Sequence, residues 1–423
     1  MFSSVFRSSF NVFSQKTKKP KQKHTETFLY FFPQYFPVFL VLMKHRRILR
    51  SFSSGLFYGI LRAMVTNAIL KEIPKVELHD HLDGGLRVQT VIDLAKEEHV
   101  TLPYDDQEEL HAWFVRGGKQ KNLHLYLEAF AVTTSVMQTR DALYRVAYEA
   151  VEDLAVQNVC YAELRFAPML HLTKGLAAEE VVQAVLDGLM EGSKKTDMKV
   201  GLILCAMRNQ DPAVSLKVAE LAVAFRDRGV VGFDLAGDEI GYPPKKHLHA
   251  FQYIRNQNFN ITVHAGEAFG VESIWQAIQV CGAHRIGHGT RLTEDMVLDG
   301  GHIEQMGSLS HFVLDRRIPI EVCLTSNVGT GACESYATHP FPIFFRNNFR
   351  CFLCTDNPLM SDTTITKEMG LAVKYYGLDF DDLEKLTLNA MKSAFIHNDQ
   401  KLVLIYDIIK KRYAELRDKY QIQ

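Results

Sequence analysis

No disulfide framework can be drawn from this chain. Its seven cysteines (Cys160, Cys205, Cys281, Cys323, Cys333, Cys351 and Cys354) are odd in number and scattered through 423 residues, so a reducing compartment is expected. Cys351-x-x-Cys354 has no second cysteine pair to complete a zinc site, and it lies in Phe349–Thr355, which reads as a buried strand. A membrane-spanning run is missing too. Phe28 to Met43 is a mostly apolar stretch of sixteen residues, shorter than the ~20 a spanning helix needs, and Pro33 and Pro37 interrupt it. Surplus positive charge is absent from the body. Residues 64–423 carry 37 basic against 48 acidic side chains, a balance that repels phosphates and argues against a nucleic-acid partner. After Met64 there is neither an internal repeat nor a low-complexity linker, so residues 64–423 are expected to form one domain.

The first 63 residues differ from the rest: eleven Lys and Arg stand against one acid, Glu26. A signal peptide would place its apolar core nearer the N-terminus, whereas the Ser-rich, basic opening through Lys23 suits a transit peptide. The expectation is a disordered or untranslated extension and a cytoplasmic body, with a mitochondrial targeting segment as the alternative.

From Lys71 onward, β-rich runs alternate with helical patterns. The strands read as Lys75–His79, Val159–Arg165, Lys199–Met207, Val230–Leu235, Phe259–His264, Arg285–His288, Ile318–Leu324 and Phe349–Cys354. Long helical patterns cover Leu123–Val136, Asp141–Gln157 and Leu402–Tyr420, among others. Eight strands alternating with helices predict an α/β fold, a (β/α)8 TIM-type barrel with additional helices. The strand ends carry His79 and His81, Glu163 and Arg165, Arg208, Asp234 and Asp238, His264 and Glu267, His288, Ser326 and Asn327, and Asp356. In such barrels reactive groups gather at the C-terminal ends of the strands, which places these side chains in one ring.

His79 and His81 sit two apart on a strand and so face one side, where both can reach one metal. Alternation turns Asp80 the other way, toward the helix layer. His264 ends the fifth strand, and Asp356 ends the eighth, beside the first. Three imidazoles and one carboxylate suit zinc and leave a position for water. A bridged two-metal centre would often place a carbamylated lysine on the fourth strand. Val230–Glu239 contains none, which points to one metal ion per chain.

Lys75-Val-Glu-Leu-His-Asp-His-Leu-Asp-Gly84, Asp234-Leu-Ala-Gly-Asp-Glu239, Val263-His-Ala-Gly-Glu267, Arg285-Ile-Gly-His-Gly289 and Thr355-Asp356 together resemble the adenosine deaminase family, from about Lys71 to the C-terminal helices. The resemblance implies that His79, His81, His264 and Asp356 hold the zinc. It implies that Glu267 protonates purine N1, and that His288 orients the attacking water and accepts its proton. Asp83 would hold a ribose hydroxyl and Gly237 would offer its backbone N–H to purine N3. Asn357 departs from the family, where an Asp commonly faces purine N7. An amide can donate there without needing a proton of its own. The implied partner is a purine nucleoside, adenosine or 2′-deoxyadenosine.

Other readings remain open. Adenine would make no use of Asp83, and an N6-substituted AMP would call for a basic phosphate pocket. Deaminases acting on nucleic-acid bases carry His-x-Glu with Pro-Cys-x-x-Cys, whereas Cys351 here follows Arg350. A growth-factor-like or nucleoside-binding homologue without activity is expected to lose ligands, and all four are present. The sequence does not fix the oligomeric state.

Overall fold

The structure, a computed structural model, describes residues 65–422. The expectation for residues 1–63 lies outside them. Among the described residues ten strands occur in chain order: β1 Lys75–His81, β2 Val159–Phe166, β3 Lys199–Met207, β4 Val230–Ala236, β5 Thr262–Ala265, β6 Arg285–His288, β7 Met296–Asp299, β8 His302–Met306, β9 Ile320–Val322 and β10 Cys351–Leu353. Two parallel four-stranded runs, β1-β2-β3-β4 and β10-β9-β6-β5, supply the eight expected strands. They join edge to edge. Phe233 of β4 bridges Ile261 before β5, and Asp80 of β1 bridges Asp356 after β10. Backbone bonds from His81 to Asp356 (2.7 Å) and from Asp356 to His79 (2.8 Å) tie that last seam. The ring closes as a (β/α)8 barrel, with additional helices outside it. No helix among the described residues is long and apolar enough to cross a membrane.

Strands enclosed by helices bury both faces, and β1, β5, β6, β9 and β10 are buried along their whole length. Helix starts follow local chemistry. Asp106 accepts from the N–H groups of Glu108 and Glu109, and Thr139 from that of Ala142, so each satisfies donors of a first turn. All seven cysteines are free.

Three local expectations change. Leu123–Val136 is two helices, Leu123–Glu128 and Phe130–Val136, separated at Ala129, which itself keeps helical φ and ψ of −62° and −27°. The β7–β8 hairpin was unread. Its turn, Gly300-Gly301 with φ of 53° and 83°, is the signal that marks it. The seventh barrel strand, β9, is only three residues long, and Leu324–Gly329 coils into a helix. That turn of helix aims Ser326 at Asp356 and Asn327 at His288.

Candidate metal centre and active site

The C-terminal ends of the barrel strands surround a cavity of about 380 Å³. His81, Asp83, Gly237, His264, Glu267, His288, Asp356 and Asn357 line it, and His79 lies fully buried beneath. All nine residues read as site residues therefore converge. Asp80 lines a different cavity with Gly85 and Val88, as strand alternation predicts. Tyr126, Leu127, Phe130 and Met207 give the site an apolar wall. His288 and Asp356 both have φ of 66°, in the left-handed region that side chains rarely adopt. Such strain is characteristic of functional positions.

The lower layer of the barrel is charged. Arg165, with no exposure, donates to Asp234 (2.9 Å) and to Glu321 (3.0 Å), and Arg285 donates to Glu321 (2.6 Å) and pairs with Glu163. Burial opposes ionisation of both acids. For Glu321, Arg165 and Arg285 outweigh it; for Asp234, His264 and Arg165 do, and both stay well below the usual carboxylate range. The two carboxylates also orient the histidines. His79 Nδ1 lies 2.7 Å from Glu321, and His264 Nδ1 lies 3.0 Å from Asp234. An ionised carboxylate only accepts, so each Nδ1 donates and each Nε2 presents its lone pair to the cavity.

Those lone pairs meet other donors of electrons. His79 Nε2 is buried without a hydrogen-bond partner, 3.2 Å from Asp356 Oδ1. His81 Nε2 lies 3.1 Å from His264 Nε2 and 3.5 Å from Asp356 Oδ1. One proton between His81 and His264 would still leave His79 facing the carboxylate, whereas a cation among the four would satisfy them all. This donor set fits a metal ion. Among the described residues, the atoms of His79, His264, His288 and Asp356 form a set within 4.8 Å of one another. That set includes His288 and leaves out His81, the fourth ligand expected from the sequence, although His81 Nε2 reaches His264 and Asp356.

Above this cluster, burial pushes the Glu267 carboxyl up to about 8, and the Asp356 carboxylate adds to the effect. The Thr330 hydroxyl donates to Glu267 Oε1 (2.9 Å), while Oε2 lies 3.6 Å from His288 Nε2. The loop that carries Glu267 is itself held. Glu239 accepts from the backbone N–H groups of Gly266, Glu267, Ala268 and Phe269 at 2.7 to 3.0 Å. Asp83 Oδ1 and Asn357 Oδ1 are buried with no hydrogen-bond partner. A Cβ on Gly84 would lie 2.2 Å from Asn357 Oδ1, so Gly84 is what admits that amide. Gly237 turns at φ 99° on the cavity wall.

A family model described as adenosine deaminase matches residues 74–411. The chain belongs to the adenosine deaminase family. Within that family, adenosine deaminase 1 of Streptomyces coelicolor is 49% identical over 360 residues, covering 84% of this chain and 90% of that protein. The adenosine deaminase of Mycobacteroides abscessus is 50% identical over 353 residues, covering 82% and 97%. Among solved structures, an Arabidopsis N6-mAMP deaminase superposes with a TM-score of 0.70 at 27% identity, covering 81% of this chain and 99% of that one. A zinc-bound amidohydrolase from Burkholderia ambifaria shares the fold, with a TM-score of 0.75 at 23% identity and coverage of 85% and 96%.

Four groups in this deaminase site had no role assigned from sequence. Glu321 is a lone acid within an apolar run, Ile318–Leu324, and that isolation is its signal, since unpaired acids are rarely buried. Asp234 and Glu239 lie inside a quoted motif, but their partners are remote in sequence. Thr330 gives no signal of its own. Removing Glu321 should be costly. Glu321→Ala leaves Arg165 and Arg285 short of a buried partner, with an expected loss of ~3–5 kcal/mol in a urea unfolding curve. A loss under ~1 kcal/mol would show that the remaining acids absorb the charge.

Proposed function

We propose that the chain hydrolyses the 6-amino group of adenosine and 2′-deoxyadenosine with one zinc ion, held by His79, His81, His264 and Asp356. Water adds at C6, the C6–N bond breaks, and ammonia leaves to give inosine or 2′-deoxyinosine. The observation that carries this reading is the buried Glu267 carboxyl, with its raised proton affinity, standing over the converged imidazole and carboxylate donors in one cavity. His81 is preferred to His288 as the fourth ligand because its Nε2 contacts both His264 and Asp356, whereas the Asn327 NH2 donates to His288 Nδ1 and leaves the proton of His288 on the Nε2 that faces the cavity. The bound ion supplies Lewis acidity and makes water acidic enough to attack near neutral pH.

The protein's own groups do the rest. Glu267 Oε2 protonates purine N1, which leaves C6 electron-poor, and His288 orients the attacking water. Asp83 accepts from a ribose hydroxyl, the Gly237 N–H meets N3, and the Asn357 amide donates to N7. The apolar wall covers the purine faces and excludes bulk water. Residues 64–423 are the single deaminase domain, and the cytoplasm is the location.

Adenine and N6-substituted AMP are the competing substrates on the same fold. Among the described residues no lysine or arginine lines the cavity, while Asp83, Glu128 and Asp238 do, which favours an uncharged nucleoside over a nucleotide. The test is ammonia release from adenosine, deoxyadenosine, adenine and N6-methyl-AMP, each with and without a zinc chelator. Chelator-sensitive turnover of the two nucleosides is expected. Turnover confined to adenine or the methylated nucleotide would reassign the substrate, and zinc-loaded protein inert on all four would make it a binding protein.

A further inference from the structure

Asn327 and His339 take no part in the chemistry above, yet both are buried against it, at 0% and 2% exposure. They form a hydrogen-bonded series with only one possible direction. It starts at a backbone group, whose role is not in question: the Phe341 N–H donates to His339 Nδ1 (3.0 Å). An imidazole nitrogen that accepts carries no proton, and burial holds His339 down to about 3, so its single proton sits on Nε2. That Nε2 lies 3.2 Å from Asn327 Oδ1 and donates to it. The amide is thereby oriented, with its NH2 toward His288. Asn327 Nδ2 lies 3.0 Å from His288 Nδ1 and can only donate, so His288 Nδ1 holds a lone pair. The proton of His288 is on Nε2, which faces the cavity 3.6 Å from Glu267 Oε2.

We infer that Asn327 and His339 are positioning residues that hold His288 as its Nε2–H tautomer, so that His288 meets the reacting oxygen as a hydrogen-bond donor and not as a base. The inference rests on the reading that His288 faces the attacking water. It differs from the role the family resemblance gives this histidine. A protonated Nε2 has no lone pair to accept a proton. An imidazolium would set an Nδ1–H against the Asn327 N–H at 3.0 Å, and nothing in the series can turn the amide over without breaking its bond to His339. The same proton explains how His288 stands as close to the donor cluster as a ligand without being one. The proton that the attacking water sheds is carried off by the departing amino group as ammonia, and a fixed donor aimed at the reacting oxygen holds its lone pair toward C6.

The experiment is a long-range ¹H–¹⁵N correlation on the full chain, zinc-loaded and ¹⁵N-labelled at histidine, with His288→Asn identifying the resonances of His288. The expected pattern in the wild type is that of a neutral Nε2–H imidazole. Asn327→Asp keeps the shape of the side chain but presents an oxygen that only accepts, so the pattern should reverse to Nδ1–H. Turnover of adenosine should then fall by about 10²-fold, as on loss of one transition-state donor, with zinc retained and KM little changed. A merely structural Asn327 would move neither the tautomer nor kcat. An Nδ1–H or doubly protonated His288 in the wild type overturns the inference, and so does Asn327→Asp with a reversed tautomer and full kcat. The wild-type spectrum decides even if that variant does not fold. A wild type with the Nε2–H pattern that leaves adenosine untouched supports the inference while refuting the substrate assignment.

Discussion

Glu267→Gln should keep its metal and lose about 10²–10⁴-fold in kcat, the range contributed by a positioned general acid. Glutamine matches the carboxyl in shape, can still accept from Thr330, and can place an N–H where the proton was. What it cannot do is release that proton to N1. The native carboxyl is prepared for release by burial first and by the Asp356 carboxylate second, which together bring it up to about 8. Thr330 occupies Oε1, so the proton is carried on Oε2, toward the substrate. The pH dependence has a definite sign. The acid is protonated below its raised pKa, so the rate it supports is full on the acid side and is lost as pH rises through about 8. In the glutamine variant that alkaline fall should disappear from the residual rate. The check is kcat against pH for both proteins beside metal analysis. Turnover near wild type in the variant would take Glu267 out of the proton transfer.

His264→Ala should lose both the metal and the rate. His264 projects from β5 with Nδ1 fixed by Asp234, and its Nε2 contacts His81 Nε2. Alanine removes one of four electron-pair donors and leaves the Asp234 carboxylate to Arg165 and the Cys205 thiol. Because ligand number and geometry set affinity at such sites, zinc should be lost during purification, and added zinc should restore little activity. Metal content of the purified variant, followed by activity under zinc titration, decides the matter. A variant that retains a full equivalent of zinc but turns over slowly would show that His264 acts on the substrate and not on the metal.

Much of this arrangement was legible in the residues. The His79/His81 spacing names one face of a strand, and His264 and Asp356 each close a β-rich run, so their convergence follows from the ring closing. Closure itself was inferred from a count of strands, and the structure supplies its cause in the Asp80–Asp356 and Phe233–Ile261 bridges. What stayed hidden was pairing across long sequence separations. Glu321 holds His79 from 242 residues away, and Glu239 gathers four N–H groups of a loop 27 to 30 residues downstream. A buried acid shows its isolation in sequence but not its partner. The break at Ala129 was also invisible, because apolar spacing continues through it and Ala129 itself keeps helical φ and ψ.

The seam that closes the barrel lies between its first strand and its last, and the proposed ligands straddle it. During synthesis on the ribosome, His79 and His81 emerge early and must wait for almost the whole domain before Asp356 follows. The complete site therefore cannot exist in any N-terminal fragment that lacks β10. On the proposed ligand set, the full site is assembled only after β10 has been made, and a product that stops before Asp356 offers at most three of the four donors.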